Sequence, residues 1–197
     1  ASVSTTSEGG VNGKHIAVKY DAATVSVSAG GLTNMADDSS AYTGSEDLTF
    51  TLKANTVDGS GKITDLQYST DGGKNWKSAT DGTTPGEEWT LEQGVKVKSI
   101  DTTGITQGAT GTITANAEKL TFELDNDGAG TGKIGDEVVV HNDQSSATIG
   151  SDETDQVVTA NFDFNTVKGV VDTTYATGTS TAIAQTVVES SKAVIGA

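Results

Sequence analysis

Short runs of alternating apolar and polar residues recur along most of this chain. Leu48, Phe50 and Leu52 alternate with Thr49, Thr51 and Lys53, and Leu120, Phe122 and Leu124 alternate with Thr121 and Glu123. A period of two puts every second side chain on one face, which is the pattern of a half-buried antiparallel strand. Further runs at 63–68, 89–91, 95–100, 138–141 and 157–164 are bounded by Gly, Asn, Asp and Ser, the residues of tight turns. The expected fold class is all-β and antiparallel.

These runs also repeat. Glu46-Asp-Leu48-Thr-Phe50-Thr-Leu52 is followed by Gly61-Lys-Ile63-Thr-Asp65, and Glu118-Lys-Leu120-Thr-Phe122-Glu-Leu124 by Gly132-Lys-Ile134-Gly-Asp136. The first blocks lie 72 residues apart and the second 71, so one residue is lost in the turn between them. Upstream, Val25-Ser-Val27 matches Val95-Lys-Val97 and Gly31-Leu-Thr33 matches Gly104-Ile-Thr106. Downstream, Ser78-Ala-Thr80 matches Ser146-Ala-Thr148. The shared order predicts two related small β-sandwich-like units in tandem, at 24–91 and 94–164. Residues 1–23 then form a leading segment, Ser, Thr and Gly rich over 1–13. Residues 165–197 form a connecting strand and a short C-terminal helix. Ile183, Val187 and Val194, like Ala184, Val188 and Ile195, recur at spacings of four and seven, and Gly196 stands where a helix would stop.

Composition narrows the chemistry. The 197 residues carry 12 Lys+Arg against 27 Asp+Glu, a net charge of −15, and every basic residue is Lys. Such a charge repels nucleic acid and anionic lipid, so neither is an expected partner. Cys is absent, which excludes disulfides, thiolate nucleophiles and Cys-ligated metal. Lack of Arg removes the bidentate clamp for carboxylate or phosphate. Met35, Pro85, His15 and His141 are the sole residues of their scarce types. No run of 18 apolar residues can cross a membrane as a helix, and residues 1–23 are too polar for a signal peptide. Thr and Ser number 32 and 18, about a quarter of the chain, a strand-and-turn composition with little catalytic equipment. Gly-x-Ser-x-Gly elbows and Gly-rich phosphate loops are missing, and Gly130-Thr-Gly132 precedes no helix. The chain is not expected to be an enzyme, and neither a cofactor nor a catalytic or metal-ligating residue is assigned.

Four candidate features remain. Ser69-Thr-Asp71-Gly-Gly73-Lys-Asn-Trp76 fits Ser-x-Asp-x-Gly-x-x-Trp and resembles the Asp-box, a hairpin turn of sialidases and many unrelated β proteins. The pattern implies a carboxylate and a hydroxyl binding turn amides, a glycine at positive φ, and a packed indole. A sialidase site also needs an arginine triad, which this chain cannot supply. Glu123, Asp125, Asp127 and Gly128 match the start of an EF-hand calcium loop, but Ile134 then occupies the position of the bidentate Glu. Counting from Asp125 instead puts Ala129 at position five and Asp136 at twelve, so a hairpin turn between strands 119–124 and 137–141 is the expectation. His15 and His141 are expected as solvated residues at strand ends. Trp76, Trp89 and Tyr68 are the residues able to line a sugar platform, with core packing the expected role of both tryptophans.

Ser180-Thr-Ala-Ile183-Ala-Gln-Thr-Val187-Val-Glu-Ser-Ser-Lys-Ala-Val194-Ile-Gly196-Ala resembles the segment of bacterial flagellins that leads into their carboxy-terminal coiled-coil helix. The Thr-rich, Cys-free β region ahead of it is similar to flagellin variable outer domains. The Asn-Arg pair that flagellins usually carry just afterwards is not in the chain, nor is an amino-terminal helical domain. The resemblance implies an exposed, non-catalytic region of an exported filament protein at the bacterial cell surface, with neighbouring copies as partners and host receptors or glycans as further candidates. The alternative is a pair of immunoglobulin-like repeats from an adhesin or S-layer protein, and a third reading is a carbohydrate-binding module.

Overall fold

The computed structural model describes residues 15–82, 84, 85, 87–99, 103–125, 137–151 and 156–169. Among them every strand pair is antiparallel. The strands are β1 (His15–Asp21), β2 (Thr24–Ser28), β3 (Met35–Asp37), β4 (Leu48–Val57), β5 (Ile63–Ser69), β6 (Lys77–Ser78) and β7 (Thr80–Asp81). They continue as β8 (Glu88–Thr90), β9 (Lys96–Ser99), β10 (Thr110–Asn116), β11 (Lys119–Asp125), β12 (Val138–His141), β13 (Ser146–Ser151) and β14 (Gln156–Asn161). One short helix, α1, spans Phe164–Lys168.

Residues 23–117 make a continuous unit. Its five-stranded sheet has the order β2-β10-β4-β5-β6, and its four-stranded sheet the order β3-β9-β8-β7. Alternation in the sequence becomes alternation in space. In β10, Gly111, Ile113 and Ala115 are buried while Thr110, Thr112 and Thr114 face out. In β4, Phe50, Leu52 and Ala54 are wholly buried. These residues share one core with Leu66 and Tyr68 of β5 and with Met35, Trp89 and Val97 from the other sheet. Two apolar faces closed on each other make the sandwich, and a fully buried Phe or Leu contributes about 1.5–3 kcal/mol. The loop joining β8 to β9 turns at Gly94, whose φ of 82° lies in the left-handed region, and a Cβ there would run into the carbonyl oxygen of Ala41.

The described residues on either side, 15–22 and 118–169, belong to a second unit that is discontinuous in sequence. Its three-stranded sheet has the order β1-β11-β12, and β13 pairs with β14. β1 runs along the whole of β11, from His15 opposite Asp125 to Asp21 opposite Lys119. Val18, Leu120, Phe122, Val140, Ala147 and Ile149 form its core with Phe162, Phe164 and Val167. Helix α1 starts at Asp163, whose Oδ1 accepts the N–H groups of Asn165 at 3.0 Å and Thr166 at 3.2 Å, an N-cap made by sequence-local chemistry.

The all-β, antiparallel class agrees with the expectation; the boundaries of the units do not. The break expected between 91 and 94 falls inside the β8–β9 hairpin, where Glu88 lies opposite Lys98 and Thr90 opposite Lys96. Residues 94–117 therefore complete the sheets begun at 24, and one unit is nested within the other. Residues 15–21 of the expected leading segment are strand β1, and residues 165–168 are helix in place of a connecting strand. The cause is pairing over distance: β1 joins a strand about a hundred residues away, which no local pattern records. The strongest repeat block does have a structural counterpart. Phe50 lies in a strand flanked by β10 and β5, Phe122 in a strand flanked by β1 and β12, and both are fully buried. By contrast, Val25 and Val95, expected in separate units, share one. The block at 132–136, the segment 1–13 and the helical stripe at 183–195 lie outside the described residues.

Candidate functional site: the Asp71 turn and two carboxylate centres

The turn between β5 and β6 is built by its own side chains. Asp71 Oδ1 accepts the N–H groups of Lys74 at 3.0 Å and Asn75 at 2.9 Å, and its Oδ2 accepts from Asn75 Nδ2 at 2.6 Å. The Ser69 hydroxyl donates to Asp71 Oδ1 at 2.6 Å and accepts from Gly73 N–H at 2.9 Å. Gly72 and Gly73 take φ values of 75° and 90°, which close the loop without steric cost. These bonds to the charged form, Ser69 foremost and then Asn75, hold the Asp71 carboxyl well below the usual carboxylate range. Asp58 does the same for the β4–β5 turn, accepting from Ser60 Oγ at 2.7 Å and from the N–H groups of Ser60 at 2.8 Å and Lys62 at 2.9 Å. Its carboxyl is lowered too, chiefly by Ser60.

Two further carboxylates join segments distant in sequence, and local pattern gave no sign of either. Glu118 accepts from Tyr20 Oη at 2.8 Å, Lys168 Nζ at 2.8 Å and Asn142 Nδ2 at 3.3 Å. The His141 ring lies 3.4 Å from the Glu118 carbonyl oxygen, and the Lys168 ammonium sits 5.8 Å over the Tyr20 ring. Burial pushes the Glu118 carboxyl up, but the bonds from Lys168, Tyr20 and Asn142 outweigh it and leave it lowered. Burial, with Glu118 beside it, pushes the Tyr20 phenol up to about 12. In the other unit Glu92 accepts from Lys77 Nζ at 3.0 Å and Tyr68 Oη at 3.2 Å. The Lys77 bond holds Glu92 low, whereas burial foremost raises the Tyr68 phenol.

The shifted carboxylates Asp58, Asp71, Glu92 and Glu118 all move downward, away from the value a carboxylic acid needs to give up a proton near neutrality. Among the described residues, no three His, Asp or Glu side chains converge as a metal site. Of the calcium-loop residues, Glu123 is buried at 2% exposure in β11 and Asp125 ends that strand. Asp127, Gly128, Ala129, Ile134 and Asp136 lie outside the described residues. β11 and β12 pair as the expected hairpin, with Leu120 opposite Val140. His141 ends β12 half-buried, its N–H donating to Gln144 Oε1 at 2.9 Å, and His15 opens β1.

The three aromatic candidates do not form a platform. Trp89 is 2% exposed and Tyr68 5%, both in the core. Trp76 departs from the core role expected of it: its ring is half-buried, with Lys53 Nζ 4.1 Å from the centroid. A Cβ on Gly73 would lie 3.3 Å from the ring edge, so glycine lets the turn close against the indole. No family model, curated protein or solved structure matches this chain.

Proposed function

We propose that this chain is a non-catalytic, surface-exposed structural region of an exported bacterial filament protein of the flagellin-outer-domain kind, with neighbouring copies of its parent as partners. The observation that carries the reading is the nested connectivity: the chain leaves the discontinuous unit at 22–23 and re-enters it at 117–118. The two flanking segments must fold with each other, whereas the inserted module forms one self-contained body, an arrangement suited to a displayed domain. Carboxylates spent on turns and inter-strand ties support a scaffolding role, as does a net charge of −15, which keeps crowded copies soluble.

The sandwich of residues 23–117, with a core of its own, favours a second reading as an immunoglobulin-like module of an adhesin or S-layer protein. Immunogold labelling of source cells, whole and in thin section, with antibodies to the 197-residue chain separates the two. Gold along extracellular filaments supports the first reading, and an even layer over the envelope supports the second. Label confined to the cell interior removes both.

A further inference from the structure

We propose that the Glu118 carboxylate is an acid-sensitive clasp that holds helix α1 on the sheet of the discontinuous unit, and that its protonation loosens the helix while residues 23–117 stay folded. This inference does not depend on the filament reading. Helix α1 has five residues, far too few to persist alone in water. Three things hold it: burial of Phe164 and Val167, the Asp163 cap, and the bond from Lys168 to Glu118.

The groups facing Glu118 come from each element packed on it. Tyr20 belongs to β1, His141 ends β12, Asn142 follows it, and Lys168 is the last residue of α1. Lys168 is the cation bonded to the carboxylate. Protonation turns the Lys168–Glu118 ion pair into a weaker bond from the ammonium to an uncharged carboxyl and leaves the ammonium without its counter-charge. Because Glu118 is lowered from the ordinary 4.5, the clasp is complete above that pH and is lost as pH falls through the lower folded value. The Glu92 centre, with Tyr68 and Lys77, ties strands and turns within 23–117 and holds no helix.

Hydrogen exchange on the full chain, corrected for intrinsic rates, tests this between about pH 7 and about pH 3. The amides of Val167 and Gly169, which donate within α1 and its cap, should lose about tenfold or more of their protection in acid. Amides of β4 and β10 should hold theirs. Glu118→Gln should show reduced protection of α1 already at neutral pH and a much smaller pH response than the native chain, and Lys168→Met should do the same should the first variant fail to fold. Three results overturn the proposal: α1 protection that is flat with pH in the native chain, the full native pH response persisting undiminished in either variant, or β4 and β10 opening at the same pH as α1.

Discussion

Each unit sets a tyrosine, a glutamate and a lysine together beside its core, but the two groups span very different lengths of chain. Tyr68, Lys77 and Glu92 fall within 24 residues of one another. Tyr20 and Glu118 are 98 apart, and Lys168 is another 50 along. Closing the longer loop in an open chain costs about 1 kcal/mol more by loop entropy alone. The nested unit removes most of that cost once it has folded, because β2 and β10 pair and bring Thr24 opposite Asn116. The ends of β1 and β11 are then brought close together for the sheet they share. Dependence between the units should therefore run one way: the discontinuous unit needs the inner one, and the inner one stands without it.

Core truncations give the strongest test of that asymmetry. Phe50→Ala should cost about 3–5 kcal/mol and pull both units down together. Phe122→Ala should cost a similar amount in the discontinuous unit and spare residues 23–117. Both tryptophans lie in the inner unit, so their fluorescence reports it alone. For Phe122→Ala the fluorescence midpoint in urea should hold while circular dichroism gains an earlier transition, and for Phe50→Ala the two should fall in step. A fluorescence midpoint that drops with Phe122→Ala breaks the argument.

Backbone and turn variants of the inner unit come next. Gly94→Ala forces a side chain to positive φ against the Ala41 carbonyl and should destabilise by at least about 1 kcal/mol, read in the fluorescence midpoint. Asp71→Ala strips acceptors from the amides of Lys74 and Asn75 and should lower the fluorescence-detected melting temperature by a smaller amount. With its carboxyl lowered, Asp71 stabilises the fold above the ordinary aspartate value, and this is lost only as pH falls through a strongly acid folded value. Acid near pH 4 should consequently leave the Asp71 contribution in place.

Alkaline titration yields the smallest signal. The stabilising Tyr20–Glu118 bond is present below the ordinary phenol value of 10 and is lost as pH rises through about 12. Ultraviolet difference absorbance should show a phenol titrating near there that vanishes in Tyr20→Phe. Its persistence in the variant would assign it to another tyrosine and weaken the Glu118 centre.

The local features of the sequence were legible because their causes are local. Alternation around Phe50 and Phe122 marks two central strands, since a period of two buries one face wherever the sheet is placed. The Asp71 turn could be read residue by residue, because donor and acceptor lie within four positions of each other. Trp76 lies outside the core although its residue type favours burial, because nothing beside it in the sequence reveals that Lys53, on a neighbouring strand, will lie over its ring. The Glu118 centre left no local trace, because a glutamate beside a lysine in an acidic chain looks like any solvated pair.

Taken alone, the sequence determined the all-β class, the central strands, the turn chemistry and the exclusion of thiol and arginine chemistry. These follow from side-chain type and short-range spacing. Tertiary structure decided which strands share a sheet, and hence that one unit is inserted within the sequence of the other and that Tyr20, Glu118 and Lys168 meet. Strand pairing is made by backbone hydrogen bonds that are alike for every residue, so long-range partners are chosen by how buried faces close together and not by any signal written beside them.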